Sequence, residues 1–133
     1  MKIWVNGTFD VLHRGHIELL RYCSGWGRVR VGIDSDKRIK LLKGNSRPVN
    51  VFDDRKILLE SLKYVNSVVE FDSDQELEDR IKEWGAKTMV IGSDYKDKKI
   101  IGSHLFDHII YFERIVEYSS TKIIEHEKNI SNR

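Results

Sequence analysis

The chain has 133 residues, of which 40% are hydrophobic and 33% are charged. This length and composition predict one globular domain with a core of its own, rather than a disordered or membrane protein. The 23 basic and 21 acidic residues give a formal net charge of +2, which is too even for a general nucleic-acid binder.

Two further features of the composition restrict the class of protein. No apolar run reaches the length of a membrane span, and the first residues have the pattern of a strand rather than of a signal peptide. We therefore expect a cytoplasmic protein without a membrane partner. The only cysteine, Cys23, excludes an internal disulfide and a multi-cysteine zinc site, and its place beside Leu19 and Leu20 predicts a core-facing thiol.

The first predicted elements are a strand, a helix and a second strand. Residues 2–6 are apolar enough for a buried strand, which Gly7 ends, and an apolar-periodic helix opens at residues 15–20. Residues 28–34 alternate as a second strand. Residues 35–50 are polar, basic and marked by glycine and proline, so they predict a long loop with one helical turn at 37–42.

The second half of the chain continues the alternation. Apolar spacing predicts a helix over 53–64 and a third strand over 67–71. Ser73 predicts an N-cap for a helix that ends at Gly85. Two more strands follow at 88–91 and 108–112, and a last helix begins near Ser119, before a polar tail.

This order of elements predicts an α/β fold over residues 1–133. We expect a single-domain, Rossmann-like, doubly wound parallel five-stranded sheet with helices on both faces. Such sheets bind ligands at the carboxyl ends of their strands, where the strand order reverses. A site is therefore predicted from residues 9–16, 92–96 and 114–122, the segments that follow the first, fourth and fifth strands.

Two histidines follow the first predicted strand. His13 and His16 stand three positions apart at a helix start, so their side chains can face the same way. Gly7 and Gly15 flank them, and a strand that turns into a helix directs backbone N–H groups and the positive helix end at one place. A lone histidine there would more often cap or pack, but the pair favours a phosphate or metal role.

Phosphate binding is the preferred interpretation of this turn. No third histidine lies nearby and no H-E-x-x-H motif is present. A metal-dependent hydrolase that uses Asp10 with His13 and His16 is kept as an alternative. The chain has no Walker motif. Residues 25–27 (G-W-G) neither follow a strand nor open a helix, so no dinucleotide fingerprint is present.

Two motifs resemble one family of enzymes. Residues 7–10 and 13–16 read G-T-F-D and H-R-G-H, which matches the G-x-F-D-x-x-H-x-G-H signature of the cytidylyltransferase-like nucleotidyltransferases. Residues 118–123 read Y-S-S-T-K-I and resemble that family's I-S-T-T-x-I motif, which stands before the last helix. The resemblance covers essentially the whole chain.

Other segments resemble two branches of this family. Residues 42–50 (L-K-G-N-S-R-P-V-N), with Asp54 and Arg55, are similar to the bacterial heptose 1-phosphate adenylyltransferases, as are residues 92–96 and 101–103. The small size, residues 63–66 and Arg114 are closer to the glycerol-3-phosphate cytidylyltransferases. The resemblance thus favours adenylyl transfer to a heptose-1-phosphate-like sugar, with CTP:glycerol-3-phosphate cytidylyl transfer as the alternative.

The chemistry that the resemblance implies is nucleotidyl transfer. A phosphate of a small sugar or polyol attacks the α-phosphorus of an NTP in line and expels pyrophosphate, a step catalysed mostly by positioning and charge neutralisation. His13 and His16 would donate hydrogen bonds to the phosphates. Mg²⁺ would be bound through the nucleotide phosphates rather than by a protein cage. The resemblance also implies a homodimer with no nucleic-acid partner.

The resemblance and the local chemistry assign roles to named residues. Arg55 lies at a helix start, where a cation is unfavourable and suggests an anionic partner, although Asp53 or Asp54 could equally be that partner. The expected catalytic residues are His13, His16, Lys43 and Arg114. The expected nucleotide-binding residues are Gly7, Thr8, Phe9, Asp10, Gly15, Gly92, Asp94, Tyr95, Ser119, Ser120 and Thr121. The expected acceptor-binding residues are Arg55 and Lys63.

The serine-rich motif departs from the family's pattern. Ser120 replaces the usual threonine, and Glu117 stands where glycine is common, which places a negative charge near the expected phosphate contacts. A non-catalytic nucleotide-binding module on the same fold is therefore a further alternative, because a fold does not fix a function.

Overall fold

A computed structural model describes residues 1–113. The expected Arg114, the motif at 118–123 and the last helix lie outside the described residues. Within this range the strands are β1 (Lys2–Gly7), β2 (Arg28–Asp34), β3 (Ser67–Phe71), β4 (Thr88–Gly92) and β5 (His108–Phe112). The helices are α1 (Arg14–Ser24), α2 (Asp36–Lys43), α3 (Phe52–Glu60) and α4 (Asp74–Trp84).

The strands form one parallel sheet in the order β3-β2-β1-β4-β5. The chain first builds outward from β1 through β2 to β3 and then crosses back to β4 on the other side of β1. The strand order therefore reverses beside β1. This confirms the predicted five-stranded, doubly wound sheet and marks the carboxyl end of β1 as the expected place for a ligand.

Alternate residues of the central strand face two separate cores. Ile3 and Val5 lie in a cluster with Leu19 and Leu20 of α1. Trp4 points to the opposite face, into a cluster that contains residues of α4. Helices therefore cover both faces, as the sequence predicted, because a parallel sheet must bury both of its apolar surfaces.

The segment after β2 differs from the sequence prediction. We predicted a long loop with one helical turn, but residues Asp36–Lys43 form a helix of 8 residues. Its N-cap is Ser35, whose Oγ accepts a hydrogen bond from the Arg38 backbone N–H at 3.1 Å. Ile39 is its buried residue, so the apolar face is too narrow to give a clear helical period. The following helix, α3, ends at Glu60 rather than at residue 64.

The limits of α4 confirm the predicted capping residues. The Oγ of Ser73 accepts a hydrogen bond from the Glu76 backbone N–H at 3.1 Å. At the other end Gly85 adopts the left-handed conformation, with φ at 75°, which favours glycine after a helix. In the described part of the chain, none of the helices combines the length and the apolar character needed to span a bilayer.

Candidate active site

A cleft of about 330 Å³ opens at the carboxyl ends of the central strands. It lies beside the reversal of strand order, where open parallel sheets bind their ligands. One part of its wall is polar and another is apolar. The lining residues are Asn6, Gly7, Thr8, Phe9, His16, Asp34, Arg38, Leu42, Lys43, Phe71, Leu77, Ile91, Tyr95, Lys99, Ile100 and Ile101.

The turn between β1 and α1 forms one wall of the cleft. Phe9 has a positive φ of 45°, which is uncommon for a residue other than glycine and costs backbone energy. Burial of its ring compensates, since the ring lies 4.9 Å from that of His16, centroid to centroid. A Cβ at Gly7 would come within 3.3 Å of the same ring. Packing therefore fixes the path from the strand to the helix.

The two histidines are coupled to each other at the start of α1. His13 is the N-cap, and its Nδ1 accepts a hydrogen bond from the Gly15 backbone N–H at 3.0 Å. The Nδ1 of His16 accepts from the backbone N–H of His13 at 3.3 Å, and the two rings stack with centroids 3.8 Å apart. When Nδ1 accepts, the proton of a neutral imidazole is on Nε2. Nε2 is then the donor of each ring; His16 lines the cleft, whereas the Nε2 of His13 is buried.

The structure places Asp10 away from the wall of the cleft. We predicted a nucleotide contact, but Asp10 is buried and is absent from the cleft wall. Its carboxylate accepts hydrogen bonds from the backbone N–H groups of Val49 and Asn50, at 3.0 and 2.9 Å. The Nη1 of Arg47 lies 3.3 Å from the same carboxylate. Asp10 therefore anchors the segment before α3 against the β1–α1 turn.

Arg55 also lies outside the wall of the cleft. Its side chain is fully buried, and its Nη2 forms an ion pair with Asp36 Oδ1 at 2.7 Å. Its remaining bonds go to the main-chain carbonyls of Asn50, Thr8 and Asp34, at 2.8 to 2.9 Å. The guanidinium thus joins the end of β2, the start of α2 and the segments that follow β1 and precede α3.

The other predicted residues divide between those in the cleft wall and those outside it. Lys43, the last residue of α2, lines the cleft together with the predicted Gly7, Thr8, Phe9, His16 and Tyr95. Lys63 is exposed, and its ammonium lies 5.4 Å from the ring of Tyr64 rather than in the cleft wall. The predicted His13, Gly15, Gly92 and Asp94 are also not part of the wall. Ser119, Ser120 and Thr121 lie outside the described residues.

The structure adds residues that the sequence did not single out. Asp34 and Arg38 line the cleft, and the Nε of Arg38 donates to Asp34 Oδ1 at 2.9 Å. Lys99 lines it as well. Asp34 stands at the carboxyl end of a predicted strand, which is a signal that could have identified it. Burial raises the pKa of its carboxyl above the usual value, against the opposing effect of Arg38.

Within residues 1–113, no group of three or more His, Cys, Asp or Glu residues is placed to hold a metal ion. His16 and Lys43 line the cleft, and together with the N–H groups of the first turn of α1 they offer donors to an anionic ligand. The apolar part of the wall is suited to a planar or partly apolar group.

Comparisons with known proteins agree with this geometry. A family model described as cytidylyltransferase-like matches residues 4–126. A protein named "Bifunctional protein HldE" from Campylobacter concisus (strain 13826) is 37% identical over 131 residues, which is 98% of this chain and 28% of that protein. Proteins of the same name from Helicobacter pylori (strain HPAG1) and Campylobacter jejuni (strain RM1221) are 39% and 40% identical, over 98% and 92% of this chain.

The chain spans 27% of the Campylobacter jejuni relative and 28% of the other two. Among solved structures, a lipopolysaccharide core biosynthesis protein from Thermoplasma volcanium GSS1 superposes with a TM-score of 0.66 at 19% identity, over 85% of this chain and 97% of that one. A protein of unknown function from Archaeoglobus fulgidus gives 0.65 at 15% identity, over 92% and 96% of the two chains. These two likenesses show the shared fold.

Proposed function

The chain belongs to the cytidylyltransferase-like family, and from that premise we propose that it is a nucleotidyltransferase. In this proposal it transfers a nucleoside monophosphate from an NTP to a small phosphorylated sugar and releases pyrophosphate. The preferred reaction is adenylyl transfer to a heptose-1-phosphate-like sugar. The similarity of residues 42–50 to heptose 1-phosphate adenylyltransferases and the relatives named HldE support this choice.

The observation that carries the proposal is the β1–α1 turn at the cleft. The helix start, the Nε2 donor of His16 and the ammonium of Lys43 offer positive charge and hydrogen-bond donors to a ligand in the cleft. A triphosphate is an acceptor-only anion with several charges, so it complements these groups. A neutral metabolite would leave these donors without matching acceptors.

The reaction follows from this placement. A phosphate oxygen of the acceptor forms a bond to the α-phosphorus, and the bond from that phosphorus to the oxygen bridging to the β-phosphate breaks. The electron pair leaves with pyrophosphate, so negative charge moves toward the β- and γ-phosphates. In the proposal, donation from His16 and from the helix start strengthens as this charge develops, which lowers the barrier without covalent chemistry by the protein.

The apolar part of the cleft is the proposed site for the nucleotide base. Ile91 lies in β4 and Tyr95 follows that strand. Ile100 and Ile101 lie in the segment before β5. Aromatic and aliphatic side chains at this position can cover the face of a base. Mg²⁺ is proposed to arrive with the triphosphate as part of the substrate, with phosphate oxygens and water as its ligands.

Pyrophosphate release tests the proposal. The protein would be incubated with Mg²⁺, each of the four NTPs and a panel of heptose 1-phosphates, hexose 1-phosphates and glycerol 3-phosphate. We expect the highest rate with ATP and a heptose 1-phosphate. CTP with glycerol 3-phosphate as the best pair would favour the alternative cytidylyltransferase. Calorimetric binding of an NTP with no turnover for any pair would contradict the enzyme and favour a nucleotide-binding module.

The homodimer expected for a small family member stays a prediction. Sedimentation equilibrium over a range of protein concentrations would test it, with a single species of twice the 15.6 kDa chain mass as the expected result. A species of the chain mass at all concentrations would contradict the expectation.

A further inference from the structure

Among the described residues that line the cleft, Asp34 is the one with an acidic side chain. On the premise of the proposed nucleotidyl transfer, we infer that the carboxylate of Asp34, held in place by Arg38, recognises hydroxyl groups on the sugar of a substrate. The ligand class is a vicinal diol, which occurs both in the ribose of an NTP and in the acceptor sugar. Asp34 would thus be a specificity-determining residue, and Arg38 its positioning residue.

Asp34 is held rigidly at the edge of the cleft. It ends β2, where it pairs with Phe71 in the parallel register with β3. Its main-chain carbonyl accepts a hydrogen bond from Arg55 Nη1 at 2.8 Å, and its Oδ1 accepts from Arg38 Nε at 2.9 Å. The side chain is 11% exposed, and the residue lines the cleft. The carboxylate is therefore fixed in direction while it still borders the space where a ligand would lie.

Arg38 is not available as a phosphate anchor in this arrangement. Its Nη2 forms an ion pair with Asp74 Oδ1 at 2.7 Å, in addition to the bond with Asp34. The guanidinium also lies over the ring of Phe71, 5.3 Å from the centroid. Two carboxylates around one guanidinium leave this corner with net negative charge, so it would repel a phosphate group.

Hydroxyl groups are the substrate groups that suit such a corner. An ionised carboxylate only accepts hydrogen bonds, and a phosphate offers it none, whereas each sugar hydroxyl can donate one. Burial raises the pKa of Asp34, which means that its charged form is poorly solvated and gains from new donors. The neighbouring side chains of Phe71, Leu77 and Ile100 also line the cleft and suit the C–H face of a sugar.

The cleft is thereby divided by chemistry. In this inference the donors of His16 and the helix start take phosphates, and the carboxylate of Asp34 takes hydroxyl groups. A substrate that spans both must carry a phosphate and a polyhydroxyl group a short distance apart, which both an NTP and a sugar phosphate do. Which of the two supplies the hydroxyls is decided by the experiment.

The test compares Asp34→Asn with the wild-type protein in steady-state assays and in calorimetry. Asparagine keeps an oxygen that can accept from Arg38, so the fold is preserved, but the charge is lost. Loss of a charge-assisted hydrogen bond is expected to raise one Michaelis constant by about 10-fold or more, with kcat changed by much less. If the ribose is bound, the KM for ATP rises. If the acceptor is bound, its KM rises and that for ATP stays.

Ligands that lack a hydroxyl provide a test that needs no variant. We expect wild-type protein to bind either 2′-deoxy-ATP and 3′-deoxy-ATP, or a deoxy form of the acceptor sugar phosphate, about 10-fold more weakly than the parent. Asp34→Asn should bind parent and deoxy ligand nearly equally. Discrimination that persists unchanged in Asp34→Asn would overturn the assignment, as would equal wild-type affinity for every parent and deoxy pair.

Matched variants separate recognition from general effects. Asp79→Asn removes an acidic charge from the exposed face of α4, and no change in either KM is expected. Arg38→Ala should raise the same KM as Asp34→Asn, and Arg38→Lys, which keeps the charge, should restore it in part. An increase in KM of equal size in Asp79→Asn would contradict a local role for Asp34.

Failure of this inference is distinguishable from failure of the proposed function. Suppose that the wild-type protein is active and that Asp34→Asn keeps both KM values within 2-fold of the wild-type values, which is about 0.4 kcal/mol. The proposed enzyme activity is then supported, and the inference about Asp34 is contradicted. If no pair of substrates turns over, the proposed enzyme falls, and the calorimetric comparison of parent and deoxy ligands still decides the role of Asp34. If the wild-type protein binds none of the parent and deoxy ligands, both the proposed function and the inference about Asp34 are overturned.

Discussion

Replacing Arg55 tests whether this residue supports the fold or binds the acceptor. The side chain is fully buried, and it makes an ion pair with Asp36 and hydrogen bonds to three main-chain carbonyls from different parts of the chain. Arg55→Ala would remove all of these donors at once and leave a cavity. The structure therefore predicts a loss of stability before any loss of substrate binding.

The size of the effect follows from these contacts. Removing one partner of a buried ion pair costs about 3–5 kcal/mol. The side chain of Asp36 is 35% exposed, so water recovers part of the Coulombic loss. Each carbonyl left without a donor costs about 1–3 kcal/mol where water cannot reach it. We expect Arg55→Ala to lower the free energy of unfolding by about 4 kcal/mol, and Arg55→Lys by about 2 kcal/mol, since an ammonium cannot reproduce the planar fork.

Urea denaturation followed by circular dichroism gives the measurement. Lys56→Ala, one position along the same helix and only partly buried, serves as the control and should change the free energy by less than about 0.5 kcal/mol. The structural role would be refuted if Arg55→Ala and Arg55→Lys unfolded at the wild-type urea concentration. An increase in the KM for the acceptor at unchanged stability would then restore the acceptor-binding interpretation.

Three further predictions concern packing, capping and the thiol. A Cβ at Gly32 would lie 2.5 Å from Trp4 Cζ2, so Gly32→Ala should destabilise by about 1–3 kcal/mol in the same assay, and unchanged stability would show that the ring can move aside. Ser73→Ala removes the cap bond to Glu76 and should cost about 1 kcal/mol without altering nucleotide affinity, so a change in affinity alone would count against a capping role. Burial raises the pKa of Cys23 to about 12. At pH 8 the thiol of the native protein should therefore react with Ellman's reagent far more slowly than the thiol of the protein in 8 M urea. Equal rates would contradict the burial of Cys23.

The sequence predicted the sheet because each strand and cap has a strong local signal. The strand over Ser67–Phe71 and the helix that Ser73 caps and Gly85 ends agree with the structure. The helix Asp36–Lys43 was predicted only as one turn within a loop, because Ile39 is its buried residue among polar neighbours. A helix with one buried side chain has no period to detect, although Ser35 before it was an available capping signal.

The site was predictable where its residues are close in sequence. The turn from Gly7 to His16 could be recognised because a strand end, two glycines and two histidines fall within one short segment. The contacts of Asp10 and Arg55 could not be predicted in this way. Arg47 lies 37 residues along the chain from Asp10, and Thr8 lies 47 residues from Arg55. Such bonds depend on the order in which the strands pair in the sheet. The spacing of residues along the sequence does not reveal that order.

The Asp34–Arg38 pair shows the same limit in another form. The two residues stand four positions apart, but Asp34 ends β2 and Arg38 lies in the first turn of α2. The pair lines the cleft, and Arg38 has a second acidic partner, Asp74, which lies in a different helix. Both facts depend on the sheet order and on the approach of α4 to α2.

The most direct test of the central claim is single turnover with ATP labelled at the α-phosphate and heptose 1-phosphate, for wild-type protein and His16→Ala. We predict that the label appears in the sugar product, with one pyrophosphate released for each transfer. His16→Ala should slow this step by about 100-fold or more while the Kd for ATP changes by only a few fold. Transfer at the wild-type rate by His16→Ala, or release of the label as ADP, which requires attack at another phosphorus, would contradict the claim that this turn holds a triphosphate for attack at its α-phosphorus.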